Sequence, residues 1–210
     1  TIPGSSRIGR CRACQLVFYA VDDACRRETE QLLKSEPYAH SDQTDHTLVV
    51  DEYPQPVTRA FLQAELLGTL IARQDPVILD IGCFDGSLLK ELHRRFPGAE
   101  LHGMDLNEHL RSRFPRDAGF HPLASRLEDI EGAFDLICLS HSMQYIKDTA
   151  ALMGHLRRLI KPDGLLFVQV PHLAKNPFVL VFGDQYYSYT PTILRTILRR
   201  YGFAFSVVPN

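Results

Sequence analysis

"VILDIGCFDGSLLKEL", from Val77 to Leu92, is the stretch from which the rest of the chain can be read. An apolar run closes on Asp80 and Ile81, a turn spaced by Gly82 and Gly86 follows, and a helical pattern begins at Ser87. Strand, glycine turn and helix in that order place free backbone amides where a nucleotide-like ligand can sit. The middle of the turn is Phe84, where such turns often have glycine.

Strand and helix signals alternate downstream of this stretch. "AELHGMD" (99–105) predicts a strand ending on an acid, followed by a short helix from Asn107, and "GFHPLA" (119–124) predicts a weak strand. "FDLICLS" (134–140) and "LLFVQV" (165–170) predict two more strands, with the helix "TAALMGHLRRLI" between them capped by Asp148. "TPTILRTILRRY" (190–201) predicts a helix with Pro191 near its start, and "GFAFSVV" (202–208) a last strand. Upstream, "VTRAFLQAELLGTLIARQ" sets Val57, Phe61, Ala64, Leu67 (or Leu66) and Ile71 on one helical stripe. Alternation of this kind implies βαβ units, hence an α/β fold with a doubly wound, mostly parallel sheet. Residues 1–56 read as a small irregular segment and residues 57–210 as the ligand-binding domain.

Composition narrows the function classes. A net charge of −2 supplies no field to recruit nucleic acid or an anionic membrane. No apolar run reaches the roughly 20 residues of a membrane helix, and "TIPGSSRIGR" lacks a signal-like core. Five cysteines, an odd count without scaffold spacing, point to a reducing cytoplasm, with Cys83 and Cys138 as small buried hydrophobes. The chain begins just before a cysteine pair and stops just after a strand-like run, so flanking sequence is expected to belong to the protein.

Asp105 closes the second strand nineteen residues beyond Gly86, well placed to accept both hydroxyl hydrogens of a ribose. A dinucleotide would need G-x-G-x-x-G, which is absent, and would set its pyrophosphate against Asp80 and Asp85. S-adenosylmethionine carries an ammonium, a sulfonium and a ribose but no phosphate, and is the better electrostatic match. A side chain at Phe84 then either points away from the ligand and packs, or crowds its methionine end.

From about Val57 onward the chain resembles the class I S-adenosylmethionine-dependent methyltransferases, whose fold is Rossmann-like. "LDIGCFDG" is similar to their D-x-G-x-G-x-G motif, and "GMDLN" to the acidic end of their second strand. "FDLICLSHSMQYIKD" and "LRRLIKPDGLLFVQVP" resemble their fourth-strand motif and their L-K-P-G-G turn with its fifth strand. The resemblance implies that Asp80, Gly82, Cys83, Phe84 and Gly86 line the methionine end, while Asp105 holds the ribose and Leu106 flanks the adenine. Ser125 and Arg126 fall where the family often has an acid for the adenine amino group, and Leu127 can pack on the ring. Ser140 and His141 would approach the sulfonium.

"CRACQLVF" carries Cys11-x-x-Cys14, half of a tetrahedral zinc site, with Cys25 and His40 the nearby residues able to complete it. It resembles the second C-x-x-C of a branch that includes sugar C-methyltransferases, in which a glycine stands where this chain has Gln15. That branch also has an acid–histidine pair where this chain has Asp184-Gln185, so a role assigned to that histidine does not carry over. A base is needed only for a protonated acceptor. His141 and His172 are the candidates, with Tyr145, Tyr186, Tyr187 and Asp184 able to shape the substrate site and Tyr53 a lid. The leading expectation is methyl transfer to a small-molecule or sugar-type acceptor, by C- or O-methylation. A nicotinamide-dependent oxidoreductase and a non-catalytic cofactor- or zinc-binding module remain as alternatives.

Overall fold

A computed structural model describes residues 7–20, 23–40, 47–173, 175 and 185–208. They fall into two compact units, one of Leu32–Ser140 with Arg158–Phe167, the other of Thr1–Gln31, His141–Arg157 and Val168–Asn210.

The first unit is built on the predicted sheet. Strands β5 (Val77–Ile81), β6 (Glu100–Met104), β7 (Phe134–Ser140) and β8 (Ile160–Gln169) lie in the order β6-β5-β7-β8. β5 runs parallel to both β6 and β7, with Asp80 opposite Gly103 on one side and Cys138 on the other. Burial of Ile78, Leu79, Leu101, Leu136 and Ile137 explains why these runs are apolar without alternation. Each such side chain contributes about 1.5–3 kcal/mol. The weak strand is reduced to parallel bridges that lay Phe120 beside Leu101 and Ala124 beside Met104.

Helix α4 (Ser87–Arg95) buries Leu88, Leu89 and Leu92 and ends on the basic His93, Arg94 and Arg95, which suit a helix C-terminus. Helix α3 (Arg59–Leu70) starts two residues later than the stripe predicts, because the Thr58 hydroxyl caps the Phe61 amide. Its buried face is Ala60, Gln63, Ala64 and Leu67, so the expected stripe is rotated and takes in a polar residue. Ahead of it β3 (Thr47–Leu48) pairs antiparallel with β4 (Val57–Thr58). The helix expected after Asn107 is a short 3-10 turn, Glu108–Ser112. Asn107 is fully buried, and its amide donates to the carbonyls of Leu33 and Ser35 at 2.8 Å each.

The N-terminal segment, expected to be irregular, holds a hairpin of β1 (Arg7–Arg10) and β2 (Val17–Ala20), then α1 (Asp23–Leu33) and α2 (Glu36–Ala39). The sequence of α1, "DACRRETEQLL", has too few apolar residues to show a period. In the second unit β2 pairs antiparallel with β9 (Tyr187–Ser188). The helix α5 (Thr149–Leu159) has the expected cap, Asp148 accepting from the Ala151 amide at 2.8 Å. α6 (Pro191–Arg200) is capped by Thr190.

The expected last strand is a correction, since residues 203–208 have no ladder partner among the described residues. The apolar alternation persists, but Phe203 meets the Arg157 guanidinium and Phe205 meets those of Arg195 and Arg199. Arginine faces cover the rings that a neighbouring strand would otherwise bury.

Candidate cofactor site

At the carboxyl end of β5 the backbone takes the left-handed conformation at every second residue: Gly82 (φ 75°), Phe84 (φ 51°) and Gly86 (φ 77°). Glycine adopts it freely, whereas a bulky residue costs about 1–2 kcal/mol there. The amides of Gly82 and Cys83 both donate to the Met104 carbonyl, at 2.7 and 3.1 Å, and the Gly86 amide closes the turn on the Cys83 carbonyl at 2.9 Å.

Phe84 is held on both sides of its backbone. Its amide donates to Asp105 Oδ2 at 3.0 Å. Its ring is 9% exposed, packs edge-on against Tyr38 with centroids 5.8 Å apart, and lies 5.8 Å from the Arg113 guanidinium. The side chain is thus packed within the protein. Phe84→Gly relieves the backbone but loses a buried ring worth about 3–5 kcal/mol. The variant is expected to be less stable by about 2 kcal/mol in chemical denaturation, with cofactor affinity changed less than about threefold in calorimetry.

The acids of the turn have different fates. Asp85 Oδ1 accepts from the amide and hydroxyl of Ser87, at 3.1 and 2.6 Å. Its Oδ2 faces Lys90 at 3.6 Å and Arg113 at 3.9 Å. Asp85 is thus bound to Ser87 at the start of α4 and has its own cations, so the electrostatic case against a pyrophosphate rests on Asp80. That residue is 2% exposed, and its Oδ1 has no hydrogen-bond partner among the described residues. Burial first, then the charge of Asp105, pushes the Asp80 carboxyl up to about 7. Such an acid is costly unless a cation or a donor arrives to meet it. Burial also raises the Cys83 and Cys138 thiols, so both serve as packing atoms rather than nucleophiles.

Asp105, at the end of β6, accepts from the Phe84 amide through Oδ2 and from the Asn107 amide through Oδ1, the latter at 2.9 Å. Burial raises its carboxyl and these amide bonds oppose the rise. A carboxylate has about four lone-pair sites. The Phe84 and Asn107 amides take two of them, and the Leu106 amide also acts on the carboxylate. Leu106 beside it is 52% exposed and Leu127 half-buried, both available to an aromatic ring. The Ser125 hydroxyl receives Arg111 at 2.8 Å and donates to Glu108 Oε1 at 3.3 Å. Positions 125 and 126 themselves carry no acid; the carboxylate near them is the exposed Glu108 of the turn after β6. Arg126 lies outside the cluster in an exposed pair with Glu128.

These groups fit a ligand with one ammonium and one ribose: an orphaned buried carboxylate, a turn without side chains at two left-handed positions, and a second carboxylate. Residues 51–206 match the model of a family described as "Methyltransferase domain". The chain belongs to this family. A trans-aconitate 2-methyltransferase of Escherichia coli is 34% identical over 111 residues, 51% of this chain and 44% of the relative. The chain therefore spans less than half the length of the curated relatives it matches. Among solved structures, the plantazolicin methyltransferase BpumL in complex with SAH is 19% identical with a TM-score of 0.61, covering 85% of this chain and 75% of that one. An S-adenosylmethionine-dependent methyltransferase from Mesorhizobium loti is 20% identical with a TM-score of 0.56, over 68% and 81% of the two chains. At these identities the structures establish a shared Rossmann-like α/β fold.

Other candidates in this methyltransferase-family chain divide between the units. Ser140 ends β7 in the first, and its hydroxyl accepts from Gln63 Nε2 at 2.7 Å. Gln63, 6% exposed on α3, is the residue that sequence reasoning passed over. A glutamine at a helix position otherwise filled by alanine and leucine was the available signal. Tyr53 packs edge-on against Phe61 in the same unit.

His141, Tyr145 and His172 belong to the second unit. His141 takes a left-handed backbone (φ 55°), its amide donating to the Gln169 carbonyl at 2.8 Å and its carbonyl accepting from Gln144 Nε2 at 2.8 Å. A non-glycine residue held there by two backbone bonds is stored strain of the sort found at functional sites. Tyr145 is half-buried, while His172 is exposed and its Nδ1 accepts from the Lys175 amide. Gln185 is buried, and Asp184 lies outside the described residues. The tyrosines are structural in their contacts. The Tyr186 hydroxyl donates to Glu30, and burial first pushes it up to about 12; Tyr187 donates to the Lys147 carbonyl.

The cysteine pair closes the β1–β2 hairpin. The Cys11 amide donates to the Leu16 carbonyl and the Gln15 amide to the Cys11 carbonyl, both at 2.9 Å, with Gln15 left-handed (φ 64°). Hydrogen bonds from the Cys14 amide first, then that of Ala13, hold the Cys11 thiol below its usual range. Amides turned onto a sulfur favour thiolate, the form that ligates metal.

Proposed function

We propose that this chain binds S-adenosylmethionine and transfers its methyl group to a small-molecule acceptor. The observation that carries the proposal is the buried Asp80 carboxylate with an unmatched oxygen, which calls for a cation in a family of methyltransferases. When bound, the cofactor supplies a methyl group on a sulfonium, activated for in-line displacement. Asp80 receives the ammonium, and the backbone of Gly82, Cys83, Phe84 and Gly86 shapes the methionine end. Asp105 orients the ribose, Leu106 and Leu127 sandwich the adenine, and Ser125 lies along its edge, while Arg126 stays paired with Glu128 outside the cluster.

Ser140, fixed by Gln63, and the strained His141 stand at the methyl-transfer end, where alignment and exclusion of water are the protein's main contribution. His141 is the preferred base for a protonated acceptor, with Tyr145 and His172 shaping the acceptor site. The acceptor class follows the named relatives, which act on trans-aconitate and plantazolicin; a sugar-type acceptor and C- or O-methylation both fall within it. Cys11 and Cys14 supply two thiolates of a zinc site whose other ligands would come from elsewhere. Reduced thiols, and no described helix long and apolar enough to cross a membrane, favour work in the cytoplasm.

Calorimetry tests the assignment. One equivalent of S-adenosylmethionine is expected to bind, with no heat from NAD, and radiolabelled methyl is expected to pass to a small acid or sugar acceptor. Binding of NAD alone would overturn the reading. Cofactor binding without turnover on any acceptor would leave a non-catalytic module.

A further inference from the structure

On the outer part of the sheet, away from Asp80, three side chains converge that the cofactor does not need. β6 runs from Glu100 to Met104, and in a strand alternate residues share a face, so Glu100 and His102 project to the same side. Segment 119–124 lies parallel to β6, through hydrogen bonds from the Leu101 amide to the Gly119 carbonyl at 2.7 Å and from the His121 amide to the Leu101 carbonyl at 2.9 Å. With Phe120 opposite Leu101, His121 falls on the face of His102. The two imidazoles are stacked, with centroids 3.8 Å apart and planes 12° apart, and Phe134 backs the His102 ring at 5.1 Å. His121 Nε2 is 3.9 Å from Glu100 Oε2. One donor atom from each residue lies within 4.8 Å of the other two.

We propose that Glu100, His102 and His121 form a binding site for one divalent transition-metal ion of the zinc, cobalt or nickel class. Two imidazole nitrogens and one carboxylate oxygen match the preference of these ions, whereas calcium and magnesium favour all-oxygen shells. Ligand atoms around tetrahedral zinc stand about 3.4 Å apart, so closing on an ion requires the two rings to turn out of their parallel stack until their in-plane nitrogens converge. Two of the donors are on β6, and the third is bonded to it through the backbone. The open flank, with Glu100 and His121 side chains 62% and 47% exposed, leaves room for water to complete the shell. A bound ion would add a staple between the 119–124 segment and the sheet, beside its backbone bonds and the packing of Phe120 and Leu123.

Cobalt is the probe, in the full chain carrying Cys11→Ser and Cys14→Ser so that the hairpin thiols cannot contribute. One equivalent of Co²⁺ is expected to bind, with visible d–d absorption and no sulfur-to-metal charge-transfer band, and saturating Zn²⁺ is expected to raise the melting temperature. His121→Ala and Glu100→Gln, both on the exposed flank, are each expected to weaken Co²⁺ binding at least about tenfold, the loss typical even for residues that only support a ligand. Their metal-free melting temperatures, compared with the parent, separate lost ligation from lost folding. No binding by the double-serine chain, binding unmoved by either substitution, or a charge-transfer band reporting thiolate ligation would each overturn the proposal.

Discussion

Asp80→Asn is expected to make the cofactor-free protein more stable at pH 8 and to weaken S-adenosylmethionine binding by about 100-fold or more. In the folded protein the Asp80 carboxyl titrates at about 7, raised from 3.8. A raised folded value means that Asp80's contribution to stability is complete below about pH 4. It is lost as pH rises toward 7, because the unfolded chain gives up its proton first. The loss amounts to roughly 2–4 kcal/mol, with the lower part of that range favoured because Asp105 titrates alongside. Asparagine keeps the shape and has no charge to bury, so this part of the decline disappears. Urea denaturation of both proteins at pH 5 and pH 8 measures it. A cation favours the charged form, so cofactor binding should release a proton below about pH 7. Calorimetry in buffers of different ionisation enthalpy detects that release. If Asp80→Asn and the parent show the same pH dependence of stability and the same affinity, Asp80 is not the cation's partner.

Asp105→Ala should lower cofactor affinity by about 100- to 1000-fold. Hydrogen bonds to a charged group contribute about 1.5–3 kcal/mol each, and two ribose hydroxyls are at stake. The same substitution strips the Phe84 and Asn107 amides of their acceptor, so stability should fall by about 1–3 kcal/mol as well. A ligand comparison separates the two effects. The parent should prefer the ribose cofactor over its 2′-deoxy analogue, and Asp105→Ala should bind both alike. An unchanged preference in the variant would place the ribose elsewhere.

Much of the first unit could be read because its determinants are local. The apolar runs of β5, β7 and β8 and the glycine turn each announce themselves within a few residues, as does the Asp148 cap in the second unit. What escaped depends on partners far along the chain. Asn107 is fixed by carbonyls at Leu33 and Ser35, and Asp85 faces Arg113, so neither could be assigned from its neighbours in sequence. Gln63 became visible only once the helix face against the core was known. The β1–β2–β9 sheet joins the two ends of the chain, and its strands are too short to show alternation. Residues 203–208 show the opposite error, since strand-like alternation was present and the missing element was a partner.

Phe84 and Gln15 share a property that bears on how such chains are found. Each stands where the resembling family or branch has glycine, and each adopts the left-handed backbone that glycine would give. One ring is buried against Tyr38, and the other side chain reaches the Arg12 carbonyl. At these two positions the chain therefore has the torsion angle that glycine would give, with a side chain in place. A search pattern that demands the residue will pass over chains that keep the turn.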